Sequence, residues 1–265
     1  YEQGLLAVSD LGDTQLIGCL HDDNVLAWYG KAIALLPRLG SVALELEPFD
    51  EVFMARENAI FPEWLLGHHL QLTLSAEEQG LLAETFACLT ESNLAQPQGV
   101  MHRDFHSRNL MVCGGDTPDD SQLAVIDFQD MVIGPLSYDL VSLLKDCYVR
   151  WPDAVIEQGM GHGFDTLSQA GLLGDLDYAA FRRYADLTGM QRHLKAAGLF
   201  TRLYHRDGKS GYLKDIPRTL GYVVDVCHQH GAEHPVLARF GDWLQRIVLP
   251  GLARAAEARR AGEPS

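Results

Sequence analysis

Val100 to Asp130 reads VMHRDFHSRNLMV, then CGGDTPDDSQ, then LAVIDFQD. It contains His102-Arg103-Asp104, with Asn109 five residues past the aspartate and Asp127-Phe128 further on. Leu110–Val112 and Leu123–Ile126 are short apolar runs. Cys113–Gln122 between them is turn chemistry throughout, which predicts a β-hairpin. Asn109 enters the first strand and Asp127 leaves the second, so antiparallel pairing brings the amide and the carboxylate to one end. Both offer the hard oxygen ligands that Mg²⁺ takes alongside substrate phosphates. Asp104, on the loop before the first strand, can face the same point. In phosphoryl transfer one carboxylate orients the attacking hydroxyl and accepts its proton, while a second carboxylate and an amide oxygen hold Mg²⁺ against ATP. Asp104 (catalytic) and Asn109 and Asp127 (metal) fit those roles. An ordinary hairpin with turn-capping neighbours explains a lone HxD or a lone IDF, but not the whole pattern in this order.

The HRDFHSRN and IDF segments resemble the aminoglycoside phosphotransferase and choline kinase superfamily, distant relatives of protein kinases. Three further segments are similar to one branch of it, the bacterial anomeric kinases of N-acetylmuramate and N-acetylglucosamine that act in cell-wall sugar recycling. They are ENAIFPEWLL (Glu57 to Leu66), IDFQDMVIGPLSYDLVSLLKDCY (Ile126 to Tyr148) and MQRHLKAAGLFTRL (Met190 to Leu203). The resemblance implies an α+β, protein-kinase-like fold, mainly the helical C-terminal lobe with a catalytic β-hairpin. Residues 1–13 then end a small ATP-binding lobe and form the hinge, and residues 14–265 form the large lobe with the catalytic loop and acceptor site. It also implies ATP as co-substrate, Mg²⁺ as cofactor and a small amino sugar as acceptor. An aminoglycoside, choline or another small alcohol is the alternative acceptor.

On the same resemblance, Ser9, Asp10 and Leu11 belong to the nucleotide-binding hinge after a strand over Gly4–Val8. From the residues alone, a strand and turn of no special role reads equally well. Glu63 and Trp64, at a break after Pro62, face the acceptor in the resemblance; for Trp64, core packing is an equal reading. His106 and Arg108 flank Asp104 and either touch the acceptor or pair with nearby acids. Gln129 replaces the glycine of a DFG motif and no A-P-E segment follows, which separates the chain from protein kinases. The lysines Lys31, Lys145, Lys195, Lys209 and Lys214 all follow the hinge. The lysine and loop that cover the ATP phosphates in a small lobe are therefore expected to be missing, and this stretch alone is expected to turn over poorly.

A net charge of -15 argues against a nucleic-acid partner. No apolar run approaches the roughly 18 residues of a membrane span, and no signal peptide is evident, so a soluble cytoplasmic protein without a membrane or obligate protein partner is expected. The five cysteines are scattered without a CxxC pair, which speaks against a disulfide framework or zinc site.

Helices are predicted over His21–Arg38, capped by Asp22 or Asp23, and from Asp50 to Pro62. Others are predicted after Ser75 with Glu78 as a capping box, from Gly134-Pro135 through Cys147, over Asp177–Leu203, and in a last long helix opened by His234-Pro235. Asp139 falls in the first turn of its helix, where the dipole favours an acid, and reads as support for the catalytic loop. Arg182, Arg183, Arg192, Lys195, Arg202, His205, Arg206, Lys209, Lys214 and Arg218 make a basic stretch in an acidic chain. A solvated face explains it, as does an anion site containing Arg192 and Lys195, and the latter suits the lactyl carboxylate of N-acetylmuramate rather than a polycationic aminoglycoside. His228, His230 and His234 lack the acidic or cysteine partner a metal cluster needs.

Overall fold

The computed structural model describes residues 9–40 and 45–262. The expected strand over Gly4–Val8 lies outside the described residues.

Chain order is α1 (Val25–Ile33), α2 (Leu36–Leu39), α3 (Glu51–Ile60), a π-helical segment (Phe61–His69) and α4 (Ala76–Ala95), followed by the strands β1 (Gln98–Met101), β2 (Leu110–Gly114), β3 (Ser121–Val125) and β4 (Val132–Pro135). Then come α5 (Ser137–Leu144), α6 (Asp153–Gln169), α7 (Tyr178–Asp207), α8 (Ile216–His230), α9 (Pro235–Trp243) and α10 (Leu249–Ala261). This mainly helical α+β arrangement with a hairpin is the expected fold class. No helix among the described residues is long and apolar enough to cross a membrane.

Local chemistry starts the helices. The Asp50 carboxylate accepts from the Phe53 amide at 2.8 Å and opens α3. Ser75 and Glu78 form the capping box of α4. Asp177 accepts from Ala180 N at 2.8 Å and opens α7, which ends at Gly208 in the left-handed region, φ 69°. Proline marks the irregular places: Pro62 and Pro250 lack the N–H that a regular ladder needs, and a π-helical segment adjoins each.

The predicted hairpin forms, with Leu110 opposite Val125 and Gly114 opposite Ser121. A second antiparallel pair, β1 with β4, was not legible. Gly134 and Pro135, expected to open a helix, pair instead with Gly99 and Gln98, and α5 starts at Ser137. The β-branched Val132-Ile133 pair favours extension, and a Cβ at Gly134 would come within 2.9 Å of Met101. The helix expected over His21–Arg38 also differs. A turn occupies Asp22-Asp23, Asn24 stands at the N-cap of α1, and a break before Pro37 separates α2. Cys147 lies beyond α5 rather than on it, and the last long helix is split into α9 and α10.

Helix α7 organises the interior. Ala185 to Leu194 is buried without interruption, the mark of a helix packed on all sides. One face joins Phe61, Leu65 and Phe240 in a core cluster; a second cluster gathers Trp28, Phe105, Leu140 and Phe181. Buried Asp186 accepts from Lys145 at 2.8 Å and lies 3.0 Å from His230 Nε2, so its charge is compensated inside this packing.

Candidate active site

The loop between β1 and β2 is held from below by two buried carboxylates. Asp139, in the first turn of α5, accepts from the amides of His102 at 2.6 Å and Arg103 at 3.0 Å. Asp146, just past that helix, accepts from the Ser107 amide at 3.2 Å and its hydroxyl at 2.5 Å. Burial pushes the Asp139 carboxyl up to about 7, against the two amides that favour its ionised form. Arg103 adopts the left-handed region, φ 74°, which lets the chain turn after the two bonded amides and present Asp104. The His102 ring lies 3.0 Å from the Ile126 carbonyl and ties this loop to the end of β3.

The hairpin brings Asn109 and Asp127 together. The Asn109 side-chain amide donates to the Asp104 carbonyl at 3.0 Å and to Asp127 Oδ2 at 3.4 Å, which commits its nitrogen and leaves its oxygen free. Asp127, at φ 64°, receives the Gln129 amide on Oδ1 at 2.7 Å. An amide oxygen beside an exposed carboxylate is a donor set that suits Mg²⁺ completed by phosphates and water. For Asp104, burial alone would raise the carboxyl, but the charges of Lys195, Arg192, His106 and Arg103 hold it below its ordinary value. It is therefore ionised at neutral pH.

A cleft on the other side of Asp104 is lined by His106, Tyr138, Tyr148, Arg192, Lys195 and Phe200, among others. Lys195 is tied to Glu57 at 2.6 Å, and the same carboxylate oxygen takes Arg103 at 2.5 Å. His106 Nδ1 is buried and has no hydrogen-bond partner among the described residues. Arg108 stacks on Tyr148, 3.6 Å from the ring centroid. Glu63 and Trp64 do not line this cleft: Glu63 is exposed, and Trp64 stacks on His68 at 4.6 Å on the π-helical segment. Ser9, Asp10 and Leu11 run beside the hairpin; the Leu11 carbonyl lies 3.5 Å from Cys113 Sγ, and Thr14 O accepts from Val112 N at 2.8 Å. A larger groove between α3 and α4, walled by Ala55, Ala59, Leu82 and Phe86, holds none of the residues named for chemistry. His230 is bonded to Asp186, away from the reacting end.

Sequence reasoning missed Glu57, Asp146, Tyr148 and Phe200. All four lie within the segments that carry the family resemblance, but no spacing rule marks them.

Residues 1–181 match the family of phosphotransferase enzymes named APH. The N-acetylmuramate/N-acetylglucosamine kinase of Pseudomonas putida is 36% identical over 248 residues, 93% of this chain and 70% of that protein. The enzyme of the same name from Pseudomonas aeruginosa is 34% identical over 259 residues, 97% of this chain and 72% of that protein. Among solved structures, the Plasmodium vivax ethanolamine kinase aligns with a TM-score of 0.56 at 12% identity. That alignment covers 83% of this chain and 63% of the ethanolamine kinase, a likeness of fold.

Proposed function

This chain belongs to the APH phosphotransferase enzyme family, and on that premise we propose that it transfers the γ-phosphoryl group of ATP to the anomeric hydroxyl of N-acetylmuramate and N-acetylglucosamine, in cytoplasmic recycling of peptidoglycan sugars. The observation that carries the reading is the pairing of the Asp104, Asn109 and Asp127 cluster with a cleft where Arg192 and Lys195 stand beside Asp104, in a chain 34–36% identical to kinases named for these two sugars. Arg192, which forms no ion pair among the described residues, makes this cleft a poor electrostatic partner for an aminoglycoside carrying several ammonium groups.

In this reading the acceptor hydroxyl donates to Asp104, which orients it toward the γ-phosphorus and takes its proton late. The new O–P bond forms as the bond to the departing ADP breaks. Asn109 and Asp127 would hold Mg²⁺, which when bound neutralises phosphate charge. Low basicity suits Asp104, because a loose transition state asks for alignment more than for a strong base. Asp139 and Asp146 keep the loop fixed during the reaction, so little reorganisation is needed as charge shifts.

ADP release is measured with Mg²⁺-ATP and N-acetylmuramate, N-acetylglucosamine, kanamycin or choline offered separately, with phosphorus NMR to place the phosphate. Turnover on the amino sugars giving a 1-phosphate is expected. Turnover on kanamycin or choline alone would overturn the reading.

A further inference from the structure

We propose that Arg192 is the carboxylate-reading residue of the acceptor cleft, and that it selects an amino sugar bearing a lactyl carboxylate over one without it. The inference rests on the sugar-kinase reading above and assigns a role within that site.

Part of the basic stretch on α7 and after it is committed to protein carboxylates. Arg182 pairs with Asp186 and Glu157, Lys195 with Glu57, Arg206 with Asp207 and Arg218 with Asp215. Arg192 differs. It is 5% exposed and lines the cleft with Asp104. Its hydrogen bond is to the Cys147 sulfur, at 3.5 Å. Among the described residues no carboxylate forms an ion pair with it. Burial pushes the Cys147 thiol up, so this partner is neutral. A guanidinium sunk in a cleft with most of its five donors uncommitted is poised for a planar anion that can take two parallel N–H bonds.

Position then selects the anion. Asn109 and Asp127 do not line this cleft, so it is not on the metal side of Asp104. Tyr148 and Phe200 supply an aromatic wall, with Tyr212 stacked behind Phe200 at 5.5 Å. An anion bound here belongs to the acceptor. In N-acetylmuramate the lactyl ether stands on C3, one ring carbon removed from the reacting C1. A single sugar can thus offer its anomeric hydroxyl to Asp104 and its carboxylate to Arg192. N-acetylglucosamine has a hydroxyl at that position and offers the guanidinium no carboxylate to fork onto.

The test compares kcat/KM of wild type, Arg192→Lys and Arg192→Met on N-acetylmuramate, N-acetylglucosamine and the uncharged lactamide analogue of N-acetylmuramate. Loss of a charge-assisted pair is expected to lower the N-acetylmuramate to N-acetylglucosamine ratio by at least about tenfold in Arg192→Met. The same variant should lose the preference for acid over amide that wild type shows. Arg192→Lys keeps the charge without the fork and should fall between. Circular dichroism and thermal unfolding of both variants check that they fold. An unchanged ratio in both, or an equal loss on acid and amide, would overturn the assignment while leaving the sugar-kinase reading intact. Wild type that phosphorylates neither sugar would overturn both.

Discussion

Asp104, half-buried on the loop between β1 and β2, and Asp139, buried in the first turn of α5 beneath it, are driven in opposite directions by their surroundings. The charges of Lys195 and Arg192 overcome burial at Asp104 and hold it low, whereas burial dominates at Asp139 and pushes it up to about 7. Such separation is what assigns different tasks to like groups. Asp104→Ala is expected to lower kcat by about 10²–10⁴, the usual contribution of a positioned base, with Mg²⁺-ATP affinity by calorimetry nearly unchanged. Full turnover in that variant would remove Asp104 from the reaction. At this scale the juxtaposition of Asp104, Asn109 and Asp127 was legible because the three sit close together around one hairpin. Asp146 and Glu57 were not, because they meet Ser107 and Arg103 across 39 and 46 residues of chain. For Trp64, an aromatic at a helix break allowed a sugar contact or core packing, and the ring lies against the neighbouring His68.

Helix α7 carries Arg192 and Lys195, so its seating decides what the cleft presents. It passes α3 closely at Gly198, where an added Cβ would stand 2.5 Å from the Ile60 carbonyl oxygen. The obstacle is backbone at the junction with the π-helical segment, and it cannot rotate away as a side chain can. Gly198→Ala should therefore destabilise the fold by about 1–3 kcal/mol through overpacking, less the helix preference of alanine over glycine, about 1 kcal/mol at most. Thermal unfolding measures this; a Tm at or above wild type would show that the end of α3 yields. The caps at Asp50, Ser75 and Asp177 were readable because capping is chemistry between neighbours. The pairing of β1 with β4 was not, because strands this short are selected by what packs on them.

Across the whole molecule, burial leaves several imidazoles neutral. Burial and the Arg192 charge push His193 down to about 3, and burial with Arg259 pushes His69 down to about 4. A depressed folded pKa means stability present above the unfolded value near 6.5 and lost as pH falls toward the folded one. His102 and His106 shift in the same direction, also through burial. Asp139 has the opposite sign, since its raised pKa adds stability as pH falls below about 7. The histidines outnumber it, so the unfolding free energy is expected to drop between pH 7 and pH 5, by about 1.4 kcal/mol per pH unit for each net proton. Urea unfolding at the two pH values checks this, and greater stability at pH 5 would show Asp139 prevailing. By itself the sequence determined the hairpin, the caps at Asp50, Ser75 and Asp177 and a set of residues that suits phosphoryl transfer, because capping and turn chemistry act over a few residues, while the fold class came from the family resemblance. Only the tertiary structure decided which carboxylates brace the loop, which cations are already paired, and that Arg192 is left facing the cleft. Those outcomes depend on burial and on partners from separate helices, and no local pattern encodes either.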